Sequence, residues 1–279
     1  MLSASLVTAF GIIYAFWFVA GAFIYVALVR QINARRSTSS GALINPGSET
    51  ATPQKTFGLP EAILAGLLTL LLLFNVFASI SHPSVELNGR SLVVGVLTTV
   101  GVVVFIAAFL TLRRRNIETL AGISKFGAPR AIATGTVLLF FAYPLISLAD
   151  VILQQFFGGG SSKQGIVELF NSSQTIQQRV VIIIFAVVIA PAAEEFMFRF
   201  FLYGVLKRYF GYLFGLVANS LLFAAVHGHL PSFAALFVLG CCFTIAYEWS
   251  GSILVSMTMH SLFNAMTLIV LAFPQILQQ

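Results

Sequence analysis

The sequence is poor in charged residues, which make up 9% of its 279 residues. Soluble domains carry about 25% charged residues. Hydrophobic residues make up 58% of the chain, and its mean hydropathy is +0.96. This composition excludes a soluble globular domain. It predicts an all-α, polytopic membrane helical bundle of about eight transmembrane helices, because one span takes about 20 apolar residues.

Cysteine is also scarce, since the only two cysteines are the neighbours Cys241 and Cys242. Adjacent residues of a helix point about 100° apart, which argues against a disulfide or a CxxC metal site. The sequence also lacks an HExxH zinc-peptidase motif and a recognisable internal repeat. Its net charge of +6 does not indicate nucleic-acid binding, because the basic residues are scattered over the ends of apolar stretches.

Polar segments divide the chain into three parts. Residues 1–57 combine a first span with Gln31–Phe57, a Ser-, Thr-, Gly- and Pro-rich segment that we interpret as a flexible linker. Residues 58–178 hold accessory spans, and residues 179–275 hold the last four. Pro144 is expected to interrupt the fourth span, and Glu248–Ser252 is predicted to be a turn. The predicted spans are Leu6–Val29, Glu61–Ile80, Ser91–Leu112, Ala131–Leu153, Val180–Tyr209, Tyr212–His227, Ser232–Tyr247 and Ile253–Phe273.

The distribution of Lys and Arg predicts the orientation in the membrane. Of the 15 basic residues, Arg90, Lys163 and Arg179 fall on one side, Arg199 falls within a span, and the others fall on the opposite side. Cytoplasmic loops carry the excess of Lys and Arg. We therefore expect a multi-pass protein of the cell membrane with both termini outside. A re-entrant sixth or seventh span would weaken this inference.

Charged residues within the spans are concentrated in the segment Ala190–Arg199. A charge at the centre of the bilayer costs about 2.5–3.5 kcal/mol on insertion scales, so such residues indicate a functional site. Glu195 and Arg199 are spaced i, i+4 on one helical face and can pair. Glu194 points about 100° away and is left as the unpaired carboxylate. Pro191 removes a backbone donor and is expected to kink the helix beside it.

Two later spans add further hydrogen-bonding side chains. Phe223 and His227 are spaced i, i+4 on the sixth span, and so are His260 and Asn264 on the eighth. A single histidine on an apolar helix is more often a packed residue than a ligand, and a single asparagine often joins two helices. Together with Glu194, however, these side chains can form one pocket that activates a water molecule and stabilises an oxyanion.

The order of these motifs resembles the CAAX protease and bacteriocin-processing family, the type II CAAX prenyl endopeptidase-like intramembrane proteases. The resemblance covers about residues 180–270, and its flanks include Phe198-Arg199-Phe200-Phe201 and Tyr247-x-x-x-Gly251-Ser252. The motifs that carry it are Glu194-Glu195-x-x-x-Arg199, Phe223-x-x-x-His227 and His260-x-x-x-Asn264. Each motif alone is weak, whereas three in order within spans form a specific signal.

The resemblance implies an intramembrane endopeptidase. Glu194 is then the general base acting on water with the help of His227, and His260 and Asn264 hold the carbonyl oxygen as negative charge develops. The implied supporting residues are Glu195, Arg199 and Phe223. The implied partners are membrane lipid and a membrane-associated protein or peptide substrate, which in some family members is a prenylated CAAX protein. The sequence does not predict the oligomeric state.

Metal dependence is left open by the sequence. Glutamate and histidine are good zinc ligands, and family members are often named metalloproteases, so Glu194, His227 and His260 are candidate ligands of a divalent metal. The same residues can also work without a metal, and we favour a metal-independent water activated by glutamate.

Two other functions remain open at this stage. In a proton-coupled membrane carrier, Glu194 and the histidines would form a proton relay. Carriers often have inverted repeats, and none is recognisable here. In a catalytically idle immunity or scaffold protein, the same polar network would serve helix packing alone, and replacing Glu194 by Gln would be harmless.

Overall fold

The structure of the protein, a computed structural model, describes residues 4–42, 57–81, 89–157, 170, 173 and 175–272. Within this part of the chain, the regular elements are all helices. Seven helices are long and apolar enough to cross a membrane, and one apolar helix is shorter. The predicted all-α membrane bundle is therefore confirmed. Its long helices are α1 (Ala4–Ala42), α2 (Leu59–Ser81), α3 (Gly89–Leu112), α4 (Ala128–Phe157), α5 (Ile176–Phe210), α6 (Tyr212–Val226), α7 (Phe233–Ser250) and α8 (Ile253–Ala272).

At one end of the bundle, which we call the basic end, ion pairs connect the ends of several helices. Glu61, at the start of α2, lies 3.0 Å from Arg115, just after α3. Glu248, near the end of α7, lies 2.6 Å from Lys207 in the last turns of α5 and 3.6 Å from Arg36 of α1. Phe57, just before α2, packs against Phe200 of α5 with ring centres 5.7 Å apart and joins these two groups of contacts. The C-terminal ends of α1, α3, α5 and α7 therefore lie with the N-terminal end of α2.

The first helix is longer than predicted. The sequence predicts a linker from Gln31 onwards, but α1 continues through Ala42. Its added turns have tertiary partners on α7: Gln31 accepts a hydrogen bond of 2.8 Å from the indole of Trp249, and Arg35 donates one of 2.9 Å to the Trp249 carbonyl. These contacts offset the weak local preference for helix. The rest of the predicted linker, residues 43–56, lies outside the described residues, and the domain division at residues 57 and 178 stays a prediction.

Two predicted breaks are also absent from the described helices. Pro144 lies inside α4 without interrupting it, and its carbonyl accepts a hydrogen bond of 2.9 Å from Tyr14 of α1. The predicted turn at Glu248 is helical, because α7 runs through Ser250 and ends at Gly251, which has a φ of 65°. Glu248 is held in the last turn of α7 by hydrogen bonds from Tyr203 and Lys207. The prediction of a turn from Glu248 was therefore wrong, and the turn begins at Gly251.

The described core surrounds the second half of α5. Its fully buried side chains include a run of large residues on α5 that packs against α6, α7 and α8. Exposed large apolar side chains are numerous on α1, α2, α3 and the first half of α5, as expected of helices that face lipid. Among the described residues, the charged motif therefore lies in a densely packed region. The fully buried side chains there are Phe198, Arg199, Phe200, Phe201, Leu202 and Tyr203.

Candidate active site

Helix α5 is not a regular α-helix around the charged motif. It contains two wider, π-helical turns, Phe185–Ile189 and Phe196–Leu202, on either side of the α-helical segment Ala190–Glu195. Such turns are rare and frequently occur at functional sites. They rotate the short segment relative to the rest of α5, so the direction of Glu194 cannot be extrapolated from a regular helix.

The first wide turn explains a contact between α5 and α8. Within it, the N–H of Ala190 donates to the carbonyl of Phe185, five residues earlier. The next donor in this register would be residue 191, which is proline and has no N–H. The Ala186 carbonyl thus loses its partner within the helix, and the side-chain amide of Asn264 donates to it at 2.8 Å. Pro191 was predicted to kink the helix. Because it has no N–H, it also leaves the Ala186 carbonyl free to accept the hydrogen bond from α8.

Glu194 lies between the two histidines of the later motifs. Its Oε2 atom is 3.9 Å from Nε2 of His227 and 3.7 Å from Nε2 of His260. Both distances are too long for direct hydrogen bonds, and Oε2 is buried without a hydrogen-bond partner among the described residues. Three polar atoms from α5, α8 and the end of α6 therefore converge around one point.

The other nitrogen of each histidine is held by an acceptor. Nδ1 of His227 lies 2.7 Å from the carbonyl of Phe223, and Nδ1 of His260 lies 3.0 Å from Oε1 of Glu195. Carbonyl and carboxylate oxygens accept hydrogen bonds, so Nδ1 is the donor in both rings. In a neutral ring, the lone pair is then on Nε2, which is the atom closest to Glu194.

Glu195 forms the predicted ion pair with Arg199 and also contacts a second group. The Arg199 guanidinium lies 3.1 Å from Oε1 of Glu195, and both side chains are fully buried. The same oxygen accepts the hydrogen bond from His260. Glu195 therefore connects the structural arginine to one of the site histidines, a second role that its spacing in the sequence does not reveal.

Phe223 is an aromatic platform between the charged groups. The guanidinium carbon of Arg199 lies 4.1 Å from the centre of its ring, within the range of a cation–π interaction. Its ring centre is 4.7 Å from that of His227 and 5.7 Å from that of His260. The ring and the carbonyl of this one residue thus contact three of the polar groups named by the motifs.

A cavity of about 160 Å³ holds the candidate catalytic groups. Glu194, His227, His260 and Asn264 all line it. Their surroundings are apolar, and the described walls include Phe185, Ala186, Ala190, Leu236, Leu239 and Phe263. The side-chain nitrogen of Asn264 already donates to Ala186 with one of its two N–H groups, so the other N–H is available. The structure thus brings together the four residues that the resemblance names as catalytic.

Metal binding has no ready ligand group in the described part of the chain. There, no set of three or more His, Cys, Asp or Glu side chains is arranged to hold a metal ion. The candidate ligands Glu194, His227 and His260 are close together, but they do not form such a set. The preference for a metal-independent water stays a prediction.

Two contributions to the site cannot be read from the sequence. Phe243 of α7 is fully buried, with its ring centre 5.1 Å from that of His260, yet in the sequence it is one of 28 phenylalanines. The carbonyl of Ala186 has no side-chain signal at all. His229, two residues after His227, instead forms a contact of 2.8 Å with Ser232 and does not line the cavity.

Comparison with known protein families gives a match for the last third of the chain. Residues 176–266 match the family model described as Rce1-like, type II CAAX prenyl endopeptidase. This segment contains every motif residue of the candidate site, so the resemblance seen in the motifs is confirmed for it. No curated protein and no solved structure matches the chain.

Proposed function

Because residues 176–266 match the Rce1-like CAAX prenyl endopeptidases, we propose that this protein is an intramembrane endopeptidase that cleaves a membrane-associated protein or peptide. The observation that carries the proposal is the position of Glu194. Its Oε2 atom lies within 4 Å of two histidine nitrogens, in a cavity bounded by apolar side chains. Prenylated CAAX proteins are the first substrate class to test.

Water activation is the first step of the proposed reaction. A water molecule bound to Glu194 Oε2 can also donate a hydrogen bond to Nε2 of His227, because Nδ1 of that ring is held by the Phe223 carbonyl. Glu194 takes one proton from this water as general base while the oxygen attacks the carbonyl carbon of the scissile bond. General-base catalysis by a positioned side chain contributes about 10²–10⁴-fold in rate.

Oxyanion stabilisation is the second requirement. When its ring carries both protons, His260 can donate from Nε2 to the developing oxyanion while Nδ1 donates to Glu195. The free N–H of Asn264 supplies a second donor from the same face of α8. The two groups are fixed in advance, His260 by Glu195 and Asn264 by Ala186, and such preorganisation is the source of oxyanion-hole stabilisation.

Cleavage completes the proposed reaction. The tetrahedral intermediate collapses, its C–N bond breaks, and the proton held by Glu194 passes to the leaving amine. The products are a new C-terminal carboxylate, which contains the oxygen of the water, and a new amino terminus. Glu194 returns to its ionised state, so the reaction consumes one water and needs no other reactant.

The test compares purified wild-type protein with Glu194→Gln after reconstitution in liposomes. Both are incubated with prenylated and unprenylated C-terminal peptides in H₂¹⁸O, and the products are read by mass spectrometry. We expect wild type to release a fragment with one ¹⁸O in its new carboxylate and Glu194→Gln to lose at least about 10²-fold in rate, the value of a lost general base. Full activity of Glu194→Gln would remove this residue from the role of base.

The matched control is Glu118→Gln. Glu118 is an exposed carboxylate of the short helix Ile117–Ala121, away from the cavity. This variant should retain wild-type activity. A parallel series with a chelator reports on the metal, since loss of activity that zinc restores would overturn the metal-independent form of the mechanism. Proton flux in peptide-free liposomes, lost in Glu194→Gln, would instead favour a carrier.

A further inference from the structure

A second and larger cavity lies at the basic end of the bundle, away from the candidate active site. Its volume is about 900 Å³, within the range of about 300–1,000 Å³ found for small-molecule sites. We call it the basic cavity. It is formed where α1, α5, α7 and the short helix Ile117–Ala121 meet, and its charged lining residues are Arg36, Lys125, Lys207, Arg208 and Glu248.

The charges of the basic cavity leave an excess of cations. The carboxylate of Glu248 already has partners on both oxygens. Lys207 lies 2.6 Å and 2.7 Å from these oxygens, and Tyr203 donates a hydrogen bond of 2.9 Å to one of them. Arg36 is farther from Glu248, at 3.6 Å. Lys125 and Arg208 form no ion pair within the described part of the chain and are exposed. One carboxylate therefore faces four cations, and the cavity is suited to an anion.

The loop that supplies Lys125 is shaped to bring its amine into the cavity. A Cβ atom at Gly251 would collide with the Lys125 amine, so glycine leaves the space that this side chain occupies. Ser124 and Thr119, on the same loop and short helix, line the cavity as well and can donate further hydrogen bonds. The anion-binding groups thus come from a packed junction and not from an unstructured surface.

The inner wall of the basic cavity is apolar. Phe57, Leu120 and Tyr247 line it, and the last two are partly exposed. A free anion would make no use of this wall, whereas a phospholipid presents a phosphate next to apolar chains. The cavity also lies at the ends of membrane-spanning helices, where lipid headgroups are found.

From these observations we propose that the basic cavity binds the phosphate-bearing headgroup of an anionic phospholipid, with its glycerol and first methylene groups against Phe57, Leu120 and Tyr247. Lys125 and Arg208 are the main phosphate contacts, and Arg36 is a third. Lys207 contributes by holding Glu248 in place. The lipid would join α1 to α5, the helix that carries Glu194.

The experiment measures thermal unfolding of the purified full-length protein in detergent, with increasing dioctanoyl phosphatidylglycerol or dioctanoyl phosphatidylcholine. A ligand that binds the folded state raises the melting temperature according to its concentration and affinity. We expect phosphatidylglycerol to stabilise the wild type more than phosphatidylcholine does. The double variant Lys125→Gln/Arg208→Gln should keep the melting temperature of the lipid-free protein and weaken the apparent affinity for phosphatidylglycerol by at least tenfold.

The matched control is the double variant Arg114→Gln/Arg130→Gln. It removes the same charge from exposed residues of the basic end that do not line the cavity, and it should respond to phosphatidylglycerol as the wild type does. An equal loss in the control would overturn the proposal in favour of diffuse surface attraction. Absence of any wild-type preference for phosphatidylglycerol would overturn it outright.

Two further ligands separate the lipid from other anions. Inorganic phosphate should stabilise the protein less than phosphatidylglycerol at equal concentration, since it cannot contact the apolar wall; equal stabilisation would reduce the site to a simple anion site. A C-terminal peptide with a free carboxylate should shift the melting temperatures of the wild type and of Lys125→Gln/Arg208→Gln equally, or shift neither. A shift seen in the wild type and lost in the double variant is the contrary result. Such a shift would assign the cavity to substrate instead. None of these measurements requires peptidase activity, so they stand independently of the proposed function.

Discussion

At the scale of single residues, Glu195 contacts two groups of the site at once, the guanidinium of Arg199 and the ring of His260. One oxygen faces the guanidinium of Arg199 at 3.1 Å and accepts from His260 at 3.0 Å, and the residue is fully buried. Removing one partner of a buried ion pair costs about 3–5 kcal/mol, because the other charge is left without compensation. Glu195→Gln should therefore lower the yield of folded protein and its melting temperature in detergent.

A second variant separates the two roles of Glu195. In Glu195→Gln/Arg199→Met, no buried charge is left unpaired, so we expect the melting temperature to recover much of the loss. Peptidase activity should stay low, because His260 still lacks the carboxylate that holds its Nδ1 proton. Recovery of both stability and activity would show that Glu195 serves the ion pair alone. Normal melting of the single variant Glu195→Gln would contradict the ion pair itself.

Spacing in the sequence predicts only part of this residue-scale arrangement. The i, i+4 rule pairs Glu195 with Arg199 and leaves Glu194 apart, and the structure contains that pair. The rule says nothing about residues on different helices, so the contact between Glu195 and His260, 65 positions apart, could not be predicted. The contact of Asn264 with Ala186 is hidden for another reason, because it depends on a wide turn and on the missing N–H of Pro191.

At the scale of elements, two glycine turns fix the start of α8. Gly122, after the short helix Ile117–Ala121, and Gly251, after α7, both have a φ of 65°. They are packed so closely that a Cβ atom at Gly122 would collide with the Gly251 carbonyl. Two residues later α8 begins, and it carries His260 and Asn264. The interlocked turns thus set the position of α8 relative to α5.

This packing predicts a specific effect of Gly122→Ala. A non-glycine residue at positive φ costs roughly 1–2 kcal/mol, and here the new methyl group must also displace the Gly251 backbone. We expect a lower melting temperature together with a loss of peptidase activity, because α8 shifts. The control is Gly211→Ala, where φ is 86° and ψ is 169°, a conformation that essentially only glycine adopts, but where a Cβ atom meets nothing within 4 Å.

The control variant should show the backbone strain alone, with a lower melting temperature but with activity close to wild type. Equal effects of both substitutions on stability and activity would mean that the contact between the two turns does not position α8.

The helix ends show where sequence patterns fail at this scale. The last turns of α1 and α7 are polar and contain residues that favour loops, so local propensity predicts that both helices end early. In the structure these two helix ends are joined by hydrogen bonds of Gln31 and Arg35 on α1 with Trp249 on α7. Apolar periodicity identifies the spans well, whereas the ends depend on partners more than 200 residues away.

At the scale of the whole molecule, α6 raises the question of how often the chain crosses the membrane. With 15 residues and a rise of 1.5 Å per residue, it is about 22 Å long, shorter than a hydrocarbon core of about 30 Å. Seven complete spans would ordinarily place the two termini on opposite sides. The sequence-based orientation, with both termini outside, depends on how this helix is counted.

The contacts at the basic end remove that dependence. The guanidinium of Arg36 lies over the ring of Tyr212, the first residue of α6, at 4.8 Å from the ring centre. Glu248, near the end of α7, lies 3.6 Å from the same arginine. The pair α6–α7 therefore leaves from and returns to the basic end, whether or not its tip reaches the far surface. The start of α1 and the end of α8 then both lie at the opposite end.

If the basic end is cytoplasmic, as the excess of Lys and Arg there predicts, alkaline phosphatase fused to either terminus should be active and green fluorescent protein fused there should be dark. Opposite results at the two termini would show that α6 and α7 do not form a hairpin from the basic end, and an active cytoplasmic reporter at both would reverse the predicted orientation while preserving the hairpin.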